Sequence, residues 1–128
     1  MLNHIGIAVS DIEKAGERFS LMLGENGHEE TVGGEGVKTM IFEGSHIELL
    51  EPLSRESSMA KFIEKRGEGL HHIAITVRDI DRRVEELRVA GVVFTAEKPS
   101  LGAGGKRVIF IHPKSANGVL IELVEEIE

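Results

Sequence analysis

A twelve-residue phrase occurs twice in this chain of 128 residues. Such a repeat limits the possible folds more than any single motif, because each copy must form the same unit. LNHIGIAVSDIE, from Leu2 to Glu13, returns as LHHIAITVRDID, from Leu70 to Asp81. His4 falls on His72, 68 residues later. Ile5, Ile7, Val9, Asp11 and Ile12 fall on Ile73, Ile75, Val77, Asp79 and Ile80. A second pair closes each half, IELLE at Ile47–Glu51 and IELVE at Ile121–Glu125. The chain therefore reads as a duplicated module of roughly sixty residues per copy, small enough for the two to share one domain.

Each copy starts with strict alternation. Ile5, Ile7 and Val9 face one way and His4, Gly6 and Ala8 the other, which is a strand with one aliphatic face and one small face. Asp11 is placed to cap a helix over Ile12–Leu23, with Ile12, Ala15, Phe19, Met22 and Leu23 as its buried stripe and Gly24 as its stop. Strands are expected at His28–Val32, Val37–Phe42 and His46–Leu50, the last ended by Pro52. Ser57–Arg66 has helical spacing and joins the halves. The second copy repeats the plan: strand Leu70–Val77, helix Ile80–Ala90, then strands Val92–Ala96, Arg107–His112 and Val119–Glu125. Arg88 is expected to reach solvent from the flank of its helix. The fold class is α+β, two tandem βαβββ modules with curved mixed sheets. The modules span 2–52 and 70–126 of one 1–128 domain, with a helical linker at 53–69. One helix covers only one face of such a sheet, so the modules are expected to form a cleft from the other.

Composition closes off several functions. The formal net charge is −7, which disfavours nucleic acid and anionic membranes as partners. No apolar run reaches transmembrane length, no signal peptide is visible, and cysteine is absent, a pattern that fits the cytoplasm. Without cysteine there are no disulfides, thiolate nucleophiles or Cys-type zinc sites. Without Tyr or Trp, an aromatic cage or a base-stacking platform is disfavoured.

Chemistry is expected where the repeat places polar residues on strands. His4 and His72 match, and so do Glu48 and Glu122, each between aliphatic neighbours. A carboxylate inside an apolar strand must be paired or bound to a metal. A two-fold arrangement of the modules would gather all four residues, and two imidazoles with two carboxylates suit a divalent ion such as Zn, Co, Mn, Ni or Fe. Against this stand simpler readings: a hydrogen-bonded core histidine, or Glu48 exposed on an edge strand. His71 points away from His72 on an ideal strand and suits a structural or interfacial role. His46 suits either support of the site or solvent, and His28 an ordinary surface. The loop Gly102–Arg107, GAGGKR, suits either an anion held on backbone N–H groups with Lys106 and Arg107, or a plain turn.

The phrases NHIGIAV, ELLEPL, AKFIEKRGEGLHHIAI and GAGGKRVIFIHPKSANGVLIELVE, in this order, resemble the methylmalonyl-CoA epimerase family of the vicinal oxygen chelate, or glyoxalase-like, superfamily. The first phrase is widespread in the superfamily; KRGEGLHHIA and HPKSANGVLIELVE are far more specific. The resemblance implies a metal-binding cleft between βαβββ modules, with His4, Glu48, His72 and Glu122 as ligands to a divalent ion (Co, Mn, Zn or Ni). Gln also serves at the Glu48 position, and either residue presents an oxygen. It implies interconversion of (2R)- and (2S)-methylmalonyl-CoA through loss and return of the C2 proton, within propionate metabolism. Glu122 is then one acid/base. The second departs from a family pattern, since Thr39 stands where some members have Glu, and Glu48 takes that role. Such an acyl-CoA substrate needs local cations in an acidic chain, and proximity to the closing strands points to Lys106, Arg107 and Lys114 for the coenzyme A phosphates and to Ser115 or nearby backbone donors for the substrate carboxylate. A homodimer is the family default. The competing expectations are a glyoxalase I-like glutathione-hemithioacetal isomerase and a metal-free small-molecule-binding module. A dioxygenase is disfavoured by the fourth carboxylate.

Overall fold

The computed structural model describes residues 1–126. It divides into two compact units, Ile5–His71 and, separately, Met1–His4 with the second half from His72. The first half runs β1 (Leu2–Ala8), α1 (Ile12–Leu23), β2 (His28–Val32), β3 (Val37–Phe42), β4 (Ile47–Pro52) and α2 (Ser58–Arg66). The second runs β5 (Gly69–Val77), α3 (Ile80–Val89), β6 (Ser100–Leu101), β7 (Arg107–Ile111) and β8 (Ile121–Glu125).

In the first half the strand order is β2-β3-β4-β1, antiparallel except for the parallel β1–β4 pair. In the second it is β5-β8-β7-β6, with β5 and β8 parallel. Each half is mixed in strand direction, and α1 and α3 sit in the crossovers that the two parallel pairs require. Val9, Ile12, Ala15, Phe42 and Leu49 form the core under α1. Ile80, Val84, Ile109, Ile111 and Leu123 form the matching core under α3. Phe42 and Ile80 are fully buried. Met22, expected in the α1 stripe, is instead 61% exposed, because the apolar arc is narrower than the run of apolar letters.

Both helices begin by one device. Asp11 Oδ1 accepts from the Glu13 and Lys14 amides, and Asp79 Oδ1 accepts from the Arg82 amide. The closing strand then supplies a second carboxylate. Glu51 Oε1 accepts from the Ile12 amide at 2.8 Å, and Glu125 Oε2 from the Ile80 amide at 3.0 Å. Each pair satisfies amides that have no partner within the helix and places negative charge at its positive end.

One expectation about the strands is corrected. Val92–Ala96 is not a strand: only Phe94 bridges to Ile111. The Arg88 guanidinium takes the carbonyls of Ala96 and Glu97 at 3.0 and 2.8 Å and lies over the Phe94 ring. Arg88 is exposed on the flank of its helix, as expected, while its guanidinium folds onto the following loop. The edge strand forms later, at Ser100–Leu101. Pro52 ends β4, as expected. It is the last residue of the strand, opposite Val37, where no further N–H is required of it.

Candidate metal centre

His72 lies on β5, where Ala74 and Thr76 share its face, while Ile73, Ile75 and Val77 point the other way. Glu122 lies on β8 between Ile121 and Leu123, opposite Ala74 of β5 and Phe110 of β7. The alternation turns Leu123 into the α3 core and Glu122 to the other face, which carries the separate apolar cluster of Ala74, Val108 and Val124. The small Ala74 leaves room beside Glu122, and the Phe110 ring meets His72 edge-on at 5.4 Å.

The start of β1 belongs to this same compact unit. The Met1 carbonyl accepts from the Thr76 amide at 2.9 Å. His4 Nε2 stands 3.1 Å from His72 Nε2, and the two are 3.3 and 3.1 Å from Glu122 Oε1. His72 and Glu122 are only 6% and 5% exposed. Burial pushes the Glu122 carboxyl up, but the hydrogen bonds and charges of His4 and His72 together outweigh it and hold the group at about 2. Glu122 is therefore a carboxylate at any working pH.

These three atoms fit a divalent ion. Adjacent ligands on an ion with bonds of ~2.1 Å stand about 3.0 Å apart at octahedral angles and about 3.4 Å apart at tetrahedral ones. The observed separations of 3.1 to 3.3 Å fall in that range. The donor set of two neutral imidazoles and one carboxylate suits borderline divalent metals, and His4, His72 and Glu122 form a compact potential metal-binding group.

The structure thus brings together three of the four expected ligands. Glu48 lies in the other compact unit, 8% exposed on β4 opposite Gly6 and Ile41. Thr39 is fully buried on β3 and donates its hydroxyl to the Glu30 carbonyl. Lys106 pairs with Glu126 at 2.9 Å, and Arg107 grips Asp81 through both terminal nitrogens at 2.7 and 2.8 Å. The Lys114 amide donates to His112 Nδ1, and Ser115 Oγ accepts from the Val93 amide. Reading the sequence overlooked Asn3, whose Oδ1 lies 2.8 Å from His4 Nδ1. Its only signal was adjacency to His4, which on a strand ordinarily means the opposite face.

A His-His-Glu triad alone does not separate an isomerase from an oxygenase, since both use it. Comparison with known proteins does. The profile of the Glyoxalase/Bleomycin resistance protein/Dioxygenase superfamily matches residues 3–110. The chain is 43% identical to the ethylmalonyl-CoA/methylmalonyl-CoA epimerase of Cereibacter sphaeroides over 128 aligned residues, covering 95% of each chain. It is 41% identical to the crystal structure of methylmalonyl-CoA epimerase from Mycobacterium tuberculosis, with a TM-score of 0.91 over 99% of this chain and 88% of that one. A methylmalonyl-CoA epimerase solved with methylmalonyl-CoA and NH4+ superposes with a TM-score of 0.92 at 35% identity, covering 98% and 93%. The chain belongs to the methylmalonyl-CoA epimerase family of the glyoxalase, or vicinal oxygen chelate, superfamily.

Proposed function

We propose that this protein interconverts (2R)- and (2S)-methylmalonyl-CoA. The observation that carries the reading is the buried triad of His4, His72 and Glu122 in a chain similar over nearly its whole length to epimerases of that substrate. The C2 hydrogen lies between a thioester and a carboxylate. Its removal leaves an electron pair that delocalises into the thioester oxygen, and its return on the opposite face inverts the centre.

His4, His72 and Glu122 would hold the divalent ion, with Glu48 as the fourth ligand. When bound, the ion supplies positive charge for the thioester oxygen as that oxygen becomes negative. The acid/base work falls to carboxylates. Glu122 commits Oε1 to the two imidazoles, and its other oxygen is the proton acceptor in this reading. A second group must serve the far face. Thr39 has no ionisable proton in the working range, and its hydroxyl is occupied by the Glu30 carbonyl, so Glu48 is assigned the role. The coenzyme A phosphates are assigned to Lys106, Arg107 and Lys114, and the substrate carboxylate to Ser115. The ion pairs of Lys106 and Arg107 are partly exposed, so their cations are within reach of a phosphate from solvent. The reading takes one domain, with modules at 2–52 and 70–126, that works as a homodimer.

The test is proton–deuterium exchange at C2 of both epimers in D₂O, with metal-free protein and after adding Co²⁺, Mn²⁺ or Zn²⁺. Ethylmalonyl-CoA and a glutathione hemithioacetal serve as alternative substrates. Metal-dependent exchange with interconversion of the methylmalonyl epimers is expected. Metal binding without exchange, with turnover of the hemithioacetal instead, would overturn the epimerase reading in favour of a glyoxalase I-like one.

A further inference from the structure

A metal-binding imidazole must present a lone pair, and which nitrogen presents it depends on what the other nitrogen does. At His4 that choice is built into neighbouring residues. Asn3 Nδ2 donates to Glu126 Oε2 at 2.7 Å and to Thr76 Oγ1 at 3.1 Å. An ionised carboxylate only accepts, so the amide nitrogen of Asn3 must face Glu126. Its oxygen then faces His4 Nδ1, at 2.8 Å. An amide oxygen also only accepts, so Nδ1 carries the proton, and in the neutral ring Nε2 is left with a lone pair.

We propose that Asn3 is a positioning residue that selects the His4 tautomer and aims Nε2 into the triad before any ion arrives. The chain of contacts runs outward from Asn3 to Glu126 and on to Lys106, whose Nζ donates to Glu126 Oε1 at 2.9 Å. Lys106 keeps Glu126 ionised, with its carboxyl held below the ordinary range chiefly by that hydrogen bond. Asn3 is thereby gripped from a partly exposed ion pair through a carboxylate that can only accept. The inference rests on the metal-centre reading of the triad and is independent of which acyl-CoA is turned over.

The repeat does not carry this device twice. The residue matching Asn3 is His71, whose ring packs edge-on against Phe62 at 4.7 Å. The matching position holds a histidine and not an asparagine, which is why matching the copies letter by letter passes over the device at His4.

The experiment compares Asn3→Leu, Asn3→Asp and the double variant Asn3→Asp/Glu126→Gln with the unaltered chain. Asn3→Leu removes both halves of the link. Asn3→Asp keeps an acceptor towards His4 but sets a carboxylate against Glu126. The double variant restores a donor to that carboxylate and so rebuilds the link with donor and acceptor exchanged. Two readouts are used: the dissociation constant for Co²⁺ alone, and the His4 tautomer in the metal-free protein from ¹⁵N chemical shifts of the ring. Asn3→Leu is expected to weaken Co²⁺ binding by roughly 10- to 100-fold and to give a ring no longer held with its proton on Nδ1. Asn3→Asp is expected to bind less tightly than the double variant. Should Asn3→Leu fail to fold, the order of the other two decides. Equal Co²⁺ affinities across the folded variants, or an unaltered chain with its proton on Nε2, would overturn the proposal. An unaltered chain that binds Co²⁺ but shows no epimerase activity would count against the proposed function and not against this role for Asn3.

Discussion

Glu48 on β4 and Glu122 on β8 stand at the same place in the repeat, and both are buried. Three residues further on, Glu51 and Glu125 also match, and each holds the first amide of its module's helix. A spacing of three puts the two glutamates of a strand on opposite faces. Glu51 and Glu125 therefore face the helices and Glu48 and Glu122 face away from them. On the helix side the copies do the same thing with the same atoms. On the other side they have diverged. Glu122 has Ala74 and Phe110 across the strands and lies 3.3 and 3.1 Å from the Nε2 atoms of His4 and His72. Glu48 has Gly6 and Ile41 across the strands. Both copies keep the carboxylate that builds the scaffold, whereas the residues that face the other carboxylate differ between them.

The sharpest way to break this comparison is to neutralise the two buried glutamates one at a time. Glu122→Gln should lower epimerisation by roughly 10³-fold or more, since it removes a proposed base and the carboxylate of the triad, and Co²⁺ binding should weaken with it. Glu48→Gln should lower interconversion by roughly 10²- to 10³-fold, while one epimer still exchanges its C2 proton, because one face keeps its base. Following both epimers by NMR in D₂O separates the two variants. Loss of exchange and inversion alike in Glu48→Gln would make the two residues equivalent. Full interconversion would remove Glu48 from the acid/base pair.

A second contrast concerns acid. The folded Glu122 carboxyl, at about 2, lies below its unfolded value of about 4.3. The stabilisation this gives is fully present above the unfolded value and is lost as pH falls through the folded one. It amounts to a few kcal/mol for a gap of this size. Metal-free protein should therefore lose stability between about pH 4.5 and pH 2. Glu122→Gln has no such proton to take up and should have a flatter profile there. Urea unfolding at a series of pH values measures the difference. Equal slopes for the two proteins would mean that the imidazoles do not hold the carboxylate as the distances imply.

How much of this was legible in the sequence follows from the range of the interactions involved. Alternation at Asn3–Val9, the Asp11 and Asp79 caps and the glycine stop at Gly24 are local, and the structure has them where the pattern put them. The matching of His4 with His72, and the inward face of Glu122, followed from the repeat and the period of two. Val92–Ala96 misled because its letters favour a strand, whereas its pairing with β7 is confined to the bonds around Phe94 and Arg88 of the preceding helix takes the Ala96 and Glu97 carbonyls at its end. No propensity encodes that. Asn3 was missed for the same reason: its partners, Thr76 and Glu126, are 73 and 123 residues away. A carboxylate with a purely structural duty was equally hidden. Glu51 and Glu125 were visible as repeated letters, but only the fold brings them to Ile12 and Ile80.

That shared duty gives the smallest expected effect and the cleanest check on the scaffold half of the comparison. Glu51→Ala and Glu125→Ala each remove the acceptor for one first-turn amide, while Asp11 and Asp79 still cap their helices. Ile12 and Ile80 are buried, but the glutamates that cover their amides are partly exposed, so truncating the glutamate lets water replace part of the bond. The cost should be about 1 kcal/mol for each variant. Glu125 also lies 3.8 Å from Arg107, but that guanidinium is already engaged by Asp81, so the extra loss should be small. Thermal unfolding should therefore register two similar decreases of a few degrees, and the double variant should show nearly their sum, because the two sites share no partner. A large excess for Glu125→Ala would mean that the second copy has given its closing glutamate a further task, and the likeness of the helix-facing sides would fail there.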